Sequence, residues 1–419
     1  MSSSQVKSSS KVPSSGILLV DKPKGVTSHD VVSFARGLLH TKRVGHAGTL
    51  DPMATGLLIL GFGNATRLLN YLLGHNKTYE AVIRLGESTN TDDADGNVVS
   101  SVDDENGIIN FANIDEILKE LRVVIAKNFT GSIMQTPTSF SAIKVNGVRA
   151  YDLAREGKDV HLEPREVFIY DFSLLDAHFS VGVSGAKVID VRASVSCSSG
   201  TYIRALARDL GRVLGVGGHL VSLRRTRIGD FSIEDSRVLK LKSVIRTFTS
   251  KNGVTQTRAK AVLDDLYYSQ GSCESQAAGD SLVSGDSSSA LPASSPLENT
   301  IDQHLLSMFE SAKLTMQTVE VSENQAKDLR FGRKITIPTI SAKNAIAYVK
   351  AAKDEQNDVV AVLEVAQKSQ ASTRESITFD KSQENNENNE NIKNNEKIEN
   401  NEKNTNQIEA KPIVVFVQS

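Results

Sequence analysis

Residues 45–57, GHAGTLDPMATGL, hold a single carboxylate, Asp51, in a turn of small residues just before an apolar run. The three glycines of this segment allow backbone torsions that other residues resist. Pro52 fixes its own φ and disfavours the helical region for the aspartate before it. The segment is therefore built around one acid. An isolated Asp-Pro pair is more often a turn cap than a reactive group, so both interpretations are open on this stretch alone.

Over its whole length the segment resembles the catalytic motif of the TruB-type tRNA pseudouridine synthases, in which the aspartate of Gly-x-Leu-Asp-Pro is essential. Four further stretches are similar to the family and, with the motif, cover most of the first 240 residues: 16–32, 77–96, 135–157 and 197–231. The resemblance implies an α+β catalytic domain with a mixed sheet. It implies an isomerase that acts alone on the uridine at position 55, in the T-loop of tRNA. No cofactor is expected, because breaking the N1–C1′ bond and joining C5 to C1′ involves no net redox change.

The resemblance also assigns a catalytic set of Asp51, Tyr79 and Arg204. The target base must be extruded from folded RNA, at a cost of a few kcal/mol. Tyr79 is expected to pack on the extruded uracil, Arg204 to pair with Asp51, and His46 to fill the gap left in the RNA stack. These roles are physically reasonable, because an aromatic face stacks on any base and a guanidinium keeps a buried carboxylate ionised.

Five further residues are expected to bind substrate RNA or line its pocket: Tyr202, Leu223, Lys22, Arg208 and Arg224. Arg208 belongs to a set with Arg204 and Arg212 that recurs every four residues, which on a helix forms one basic stripe. Such a stripe is either a solvated face paired with Asp209 or a phosphate contact. The neighbouring motifs favour the phosphate contact.

Residues 135–144, followed by Asn146-Gly147, resemble the RNA-clamping insertion of the family. Thr138 stands where a second proline is usual, and Phe140 where tyrosine is common, so a contact through that tyrosine hydroxyl is not expected. Residues 90–96 are acidic, but the position that needs a bidentate glutamate in a calcium loop is Val102. A local structural role near the cleft is expected for this loop.

Composition sets the outer bounds of the chain, which has 419 residues, 39% of them apolar, and a net charge of −2. Its two cysteines, Cys197 and Cys273, have neither CxxC spacing nor a partner pattern, which argues against a disulfide scaffold or a zinc site. No metal is expected, and no apolar run has the length of a membrane span. We expect a cytoplasmic monomer whose partner is the T-arm of tRNA.

Changes in composition predict the domain limits. Residues 1–13 are expected to form a disordered tail, 14–247 the catalytic domain, and 248–303 a low-complexity linker or insert. Residues 304–419 are expected to form a small β-rich, PUA-like domain interrupted by a disordered Asn/Glu/Lys-rich loop at about 370–410. Within it, periodicity predicts strands at 314–319, 346–349 and 359–365 and a helix at 323–329.

Two other functions fit parts of the sequence. One is a guide-RNA-dependent pseudouridine synthase subunit, similar to dyskerin, which needs partner proteins; the ability of the purified protein to modify bare tRNA separates it from a stand-alone enzyme. The other is an RNA-folding chaperone without essential catalysis. The presence of Asp51, Tyr79 and Arg204 together argues against catalysis being dispensable.

Overall fold

A computed structural model of the protein describes residues 13–102, 113–145, 147–249, 255–264, 301–351, 357–366 and 407–416. The expected tail, most of the expected linker and most of the expected Asn-rich loop lie outside the described residues. The chain divides into two compact units, residues 1–305 and 306–419. Among the described residues, no helix combines the length and apolarity needed to cross a membrane.

The helices are α1 Ser28–Leu38, α2 Leu69–Leu73, α3 Ile114–Asn128, α4 Ala150–Arg155, α5 Ile203–Val213, α6 Met308–Thr315 and α7 Glu323–Arg330, with short 3-10 turns at Gly63–Arg67 and Ile301–His304. The strands are β1 Gly16–Lys22, β2 Val44–His46, β3 Thr55–Phe62, β4 Lys77–Leu85, β5 Glu87–Thr89, β6 Val98–Ser101, β7 Gly131–Gln135, β8 Lys144–Val145, β9 Val148–Arg149, β10 Arg165–Val181, β11 Lys187–Cys197, β12 Gly218–Ile228, β13 Phe231–Ser232, β14 Leu239–Thr249, β15 Thr255–Leu263, β16 Leu305–Leu306, β17 Thr318–Glu320, β18 Ile335–Pro338, β19 Asn344–Val349, β20 Asp358–Val365 and β21 Gln407–Val415.

One large sheet organises the first unit, with strand order β15-β14-β1-β3-β12-β4-β11-β10-β7. Most neighbours are antiparallel, but β1 with β14 and β3 with β12 are parallel. The sheet is therefore mixed, as predicted. One apolar cluster packs α3 and α5 on β4, β10, β11 and β12, and a second packs α1 on β1, β3 and β14. Cys197 is a buried member of the first cluster.

Helix α1 begins at a capping box formed by Thr27 and Asp30. Thr27 accepts a hydrogen bond from the backbone N–H of Asp30, and the Asp30 carboxylate accepts one from the backbone N–H of Thr27. This capping box satisfies amide groups that would otherwise have no partner in the first turn. The first residue of the helix, Ser28, contacts Leu50 in the 45–57 segment.

The parallel pairing of β3 with β12 brings two distant motifs together, because Thr55 lies beside Arg224 and Gly56 beside Arg225. Gly56 has a φ of +99°, and a Cβ there would lie 2.3 Å from the carbonyl oxygen of Arg225. Only glycine allows this approach. The chain leaving the Asp51 turn is therefore held against the strand that carries Leu223.

The second unit contains a five-stranded sheet with order β17-β19-β20-β21-β18. The helix predicted at 323–329 is present as α7, and the strands predicted at 346–349 and 359–365 are β19 and β20. The strand predicted at 314–319 is wrong, because α6 continues to Thr315 and β17 starts only at Thr318. A capping box between Ser307 and Glu310 starts this helix upstream of the predicted stretch.

The linker predicted at 248–303 starts too early. Strand β15, at 255–263, pairs with β14 along its whole length and lies inside that range. Its alternate residues Ala259, Ala261 and Leu263 contact the apolar cluster of α1. This alternation made β15 detectable from the sequence, and the first unit extends at least to residue 264.

We predict that Gly56→Ala destabilises the protein far more than Gly131→Ala. Both residues have positive φ, but a Cβ at Gly131 meets nothing within 4 Å. The control should lose about 1–2 kcal/mol from its backbone conformation alone, and Gly56→Ala a further 1–3 kcal/mol or so from overpacking against β12. Denaturant unfolding of both variants measures the difference, and equal losses would contradict the close contact between β3 and β12.

Candidate active site

A cavity of about 920 Å³ opens in the first unit. Six of the nine residues predicted for the site line it together: His46, Asp51, Tyr79, Tyr202, Arg204 and Leu223. They come from segments separated by up to 177 positions in the chain. The sheet brings them together because β3, β12 and β4 are consecutive neighbours.

The turn that carries Asp51 is held from the start of α1. The hydroxyl of Ser28, which is buried, donates to the carbonyl of Leu50 at 3.1 Å and accepts from the backbone N–H of Leu50 at 2.9 Å. The N–H of Gly25 donates to the carbonyl of Pro52 at 2.8 Å. These contacts on both sides of Asp51 fix the backbone of the turn.

Arg204 fixes the Asp51 side chain. Its Nε lies 3.0 Å from Oδ2 of Asp51, as predicted, and its Nη1 lies 3.2 Å from Oδ2 of Asp93. Nη1 also donates to the carbonyl of Thr91 at 3.0 Å, and Nη2 to the carbonyl of Phe140 at 2.9 Å. The Arg204 side chain is only 6% exposed, whereas that of Asp51 is 38% exposed. The guanidinium is thus fully engaged, and the carboxylate keeps one side open to the cavity.

Opposing effects set the pKa of Asp51. Burial raises the pKa of this carboxyl above its ordinary value, and the nearby charge of Asp93 adds to the rise. Arg204, by its charge and its hydrogen bond, and Lys22, by its charge, act in the opposite direction and lower the pKa. The result is an oriented carboxylate that is more basic than a surface aspartate, which suits attack on an electrophile or removal of a proton.

The acidic loop 90–96 has a structural role beside the cavity, as expected. Asp93 is buried, and its Oδ1 accepts from the Thr91 hydroxyl at 2.6 Å and from the backbone N–H of Asp95 at 3.1 Å. These bonds leave Oδ2 aimed at Arg204. Among the described residues, no group of three or more His, Cys, Asp or Glu is arranged to hold a metal ion.

Tyr79 lies on β4 with its ring almost fully buried. Burial raises the pKa of its hydroxyl, and the charge of the nearby Arg225 opposes this shift. Arg225 is itself fully buried and donates to the carbonyls of Leu57 at 2.8 Å and Gly48 at 3.0 Å. Lys77 is also buried, and desolvation lowers its pKa to about 8. Arg225 and Lys77 both line the cavity and therefore place positive charge beside it.

Tyr202 is held at the start of α5 by Gln135. The side-chain oxygen of Gln135 accepts from the N–H of Tyr202 at 2.8 Å, and its amide nitrogen donates to the Tyr202 carbonyl at 3.1 Å. His46, which also lines the cavity, contacts His29 edge to face, with ring centroids 6.1 Å apart. Burial lowers the pKa of His46, with the charges of His29 and Arg225 contributing. The imidazole is therefore a neutral, largely apolar surface at neutral pH.

Three predicted RNA contacts do not line the cavity. Lys22 is fully buried beneath the Asp51 turn, where its ammonium donates to the carbonyls of Val26 at 2.7 Å and Pro52 at 3.4 Å. Its expected position on an RNA-facing surface is wrong, because it satisfies backbone carbonyls of the turn. Desolvation lowers its pKa to about 8, although the charge of Asp51 raises it.

The predicted basic stripe on α5 is also corrected. Arg204 points inward, Arg208 pairs with Asp92 and Asp209 at 3.1 Å, and Arg212 pairs with Asp209 at the same distance. The acidic loop packs against this side of the helix and neutralises Arg208.

Arg224 follows Leu223 on β12 but pairs in a bidentate manner with Asp21, at 2.9 and 2.8 Å. Successive strand residues point to opposite faces, which separates the two side chains.

Sequence reasoning missed several residues that hold the site: Ser28, Asp93, Gln135 and Arg225. Asp93 lies in the acidic run that was noticed, and Arg225 directly follows a predicted contact. Ser28 and Gln135 act through backbone atoms of distant segments, for which a single sequence carries no signal.

Comparisons with known proteins identify the family of the chain. Residues 36–203 match the family model of the TruB family pseudouridylate synthase N-terminal domain, and residues 204–266 match that of the tRNA pseudouridylate synthase B C-terminal domain. A protein named tRNA pseudouridine synthase B from Bifidobacterium longum (strain DJO10A) is 43% identical over 85% of this chain and 96% of its own. A protein of the same name from Arthrobacter sp. (strain FB24) is 54% identical over 54% of this chain and 70% of its own.

Among solved structures, a chain in "Crystal Structure of a Cbf5-Nop10-Gar1 Complex" aligns with a TM-score of 0.50 and 22% identity. The alignment covers 85% of this chain and 79% of that chain. At this identity the likeness shows a shared fold and nothing about partners.

We predict that Ser28→Ala lowers stability by about 1–3 kcal/mol, because it leaves the buried N–H and C=O of Leu50 without their partner. Ser33→Ala is the matched control. Its hydroxyl lies on the exposed side of the same helix and donates only to the carbonyl of His29, so its effect should stay within about 0.5 kcal/mol. Denaturant unfolding compares the two variants, and a Ser28→Ala loss no larger than the control would show that this hydroxyl does not hold the turn.

Proposed function

The chain belongs to the TruB family of tRNA pseudouridine synthases and isomerises uridine to pseudouridine in tRNA, and from this premise we propose that the target is uridine 55 in the T-loop and that Asp51 is the essential residue. The observation that carries the assignment of Asp51 is its geometry: Arg204 holds one carboxylate oxygen at 3.0 Å while the side chain stays open to the cavity. We further propose a cytoplasmic monomer that recognises the T-arm.

The dimensions of the cavity support extrusion of the base. A volume of about 920 Å³ lies within the range of sites that enclose a small molecule. A base inside folded RNA cannot reach a carboxylate recessed between α1 and α5, so it must leave the stack. In this proposal Tyr79 stacks on the uracil, Leu223 and Tyr202 complete the pocket, and the neutral His46 occupies the gap in the RNA.

The reaction needs no co-substrate, because it rearranges the atoms of one nucleoside. The N1–C1′ bond of the nucleoside breaks, the base turns within the pocket, and C5 bonds to C1′; the proton on C5 is lost and N1 gains one, so atoms and charge balance. Asp51 can attack the sugar, attack the base, or remove a proton while a sugar intermediate forms. Its raised pKa and its fixed orientation are compatible with each of these roles.

The arrangement of carboxylates supports internal transfer over hydrolysis. Glycosidases use two carboxylates on opposite sides of the scissile bond. Asp93 is the other carboxylate bound by Arg204, but its side chain is buried and both of its oxygens are engaged. It is not placed to activate a water molecule. With one reactive acid, and with the detached uracil still held in the pocket, the uracil and the ribose are expected to rejoin each other.

We predict that Asp51→Asn lowers turnover by more than about 10³-fold, since the amide is neither a nucleophile nor a base. Affinity for tRNA should change little, because phosphate and shape contacts dominate binding. Release of tritium from tRNA containing 5-tritiated uridine measures turnover, and filter binding measures affinity.

Asp95→Asn is the matched control for this variant. Asp95 lines the same cavity but has no ion pair in the described part of the chain. It should retain near-normal turnover. Tritium release by Asp51→Asn at the control rate would refute the role of Asp51.

The pH dependence follows from the sign of the Asp51 shift. A raised pKa means that the carboxyl keeps its proton to higher pH, so the ionised form that the reaction needs is lost earlier on acidification. The single-turnover rate at saturating tRNA should therefore fall with an acid limb above the ordinary aspartate pKa of about 3.9. Affinity measured at each pH separates chemistry from binding. A rate that stays constant down to pH 4 would contradict this assignment.

A further inference from the structure

The hairpin of β14 and β15 carries an unusual charge distribution. Its two strands, LKLKSVIRTFT and TQTRAKAVL, contain five cations and no carboxylate. The hairpin forms the edge of the large sheet, and the outer half of both strands is exposed. The whole chain has a net charge of −2. The excess of positive charge is therefore a property of the hairpin and not of the chain as a whole.

The cations share one face of the hairpin. Arg246 lies directly opposite Arg258 in the antiparallel register, with Phe248 two residues further along the same strand. Residues directly opposite each other, and those two apart on a strand, point to the same side. Like charges placed opposite each other destabilise a strand pair. The free protein therefore tolerates a repulsion that an anionic ligand would relieve.

An exposed aromatic ring lies among these cations. Phe248 is 42% exposed, and its ring centroid lies 5.4 Å from the guanidinium carbon of Arg258 and 5.7 Å from Nζ of Lys260. Arginine beside an exposed aromatic ring is the combination that binds nucleic acid, since the cation binds phosphate and the ring offers a stacking surface. An acidic protein segment would use the cations but not the exposed ring.

Ion pairs engage cations nearer the base of the hairpin. Lys240 lies 3.5 Å from Asp21, and Lys260 lies 3.3 Å from Asp30. In the described part of the chain, neither Arg246 nor Arg258 has a carboxylate within 4 Å. The outer half of the face is therefore electrostatically unsatisfied.

The hairpin is connected to the cavity through a short series of contacts. Asp30, which pairs with Lys260, is hydrogen-bonded to Thr27. Thr27, Ser28 and His29 line the cavity. RNA whose extruded base occupied the cavity could thus continue past the start of α1 onto the cationic face.

We propose that this face of the β14–β15 hairpin, defined by Arg246, Phe248 and Arg258, is an auxiliary binding surface for the sugar–phosphate backbone of the substrate tRNA outside the catalytic cavity. The proposal rests on the function proposed above, because it takes tRNA as the ligand. It concerns affinity and leaves the chemistry at Asp51 unchanged.

The test uses the full chain and an unmodified tRNA transcript. In Arg246→Gln/Arg258→Gln, two phosphate contacts are removed, so the slope of log affinity against log salt should become shallower by about 1.8. Affinity at low salt should fall about tenfold or more. The single-turnover rate at saturating tRNA should match that of the unsubstituted protein. Thermal stability should stay the same or rise, because the opposed charges are gone.

Two controls make the result specific. Thr247→Ala/Thr257→Ala alters the adjacent cross-strand pair on the opposite face of the same hairpin and should bind tRNA normally. Arg246→Lys/Arg258→Lys keeps the charge and should restore most of the salt slope. Unchanged tRNA affinity and slope in the Gln variant would overturn the proposal, whether or not the face binds an acidic protein. If the unsubstituted protein forms no pseudouridine at position 55, the proposed function is refuted instead.

Discussion

The site depends on one buried guanidinium. Arg204 has almost no contact with solvent, and a charge in that position is stable only if every donor has a partner. Its partners come from separate segments: Asp51 in the 45–57 turn, Thr91 and Asp93 in the acidic loop, and Phe140 in the stretch that resembles an RNA-clamping insertion. Helix α5, the turn, the loop and the insertion therefore converge on a single point. The orientation of Asp51 follows from that requirement.

Buried cations also support the Asp51 turn from below. Lys22 donates to the carbonyl of Pro52, and Arg225 donates to that of Gly48. A turn of small residues in the interior leaves backbone carbonyls that side chains must satisfy. Lys22 in addition places positive charge near Asp51, which lowers the pKa of that carboxyl against the desolvation that raises it. One set of contacts thus supports both the backbone of the turn and the ionised form of its acid.

Charge in this protein has to be considered locally. Most basic residues predicted to contact RNA are paired internally, as Arg208 is with Asp92 and Arg224 with Asp21. Arginine spacing on a helix therefore did not locate an RNA-facing surface, because the acidic loop packs against the same side of α5. In the described part of the chain, Arg246 and Arg258 on the β14–β15 hairpin have no carboxylate within 4 Å, and the two strands themselves contain no acid.

Much of the fold and part of the site could be predicted from the sequence. Periodicity identified β19, β20 and α7, and the motifs named six residues that share the cavity. The errors have physical causes: α6 begins at a cap upstream of the stretch predicted as a strand, and β15 is polar on one face and adjacent to a low-complexity stretch.

The sequence by itself determined the chemistry of the site, because the identity of Asp51 and the small residues around it are local properties of the chain. Only the tertiary structure decided which cations face the cavity and which are buried or paired. That outcome depends on strand register and on which loop packs beside each helix. A difference of one residue along β12 separates Leu223 in the pocket from Arg224 on the opposite face, and only the folded sheet specifies which residue faces inward.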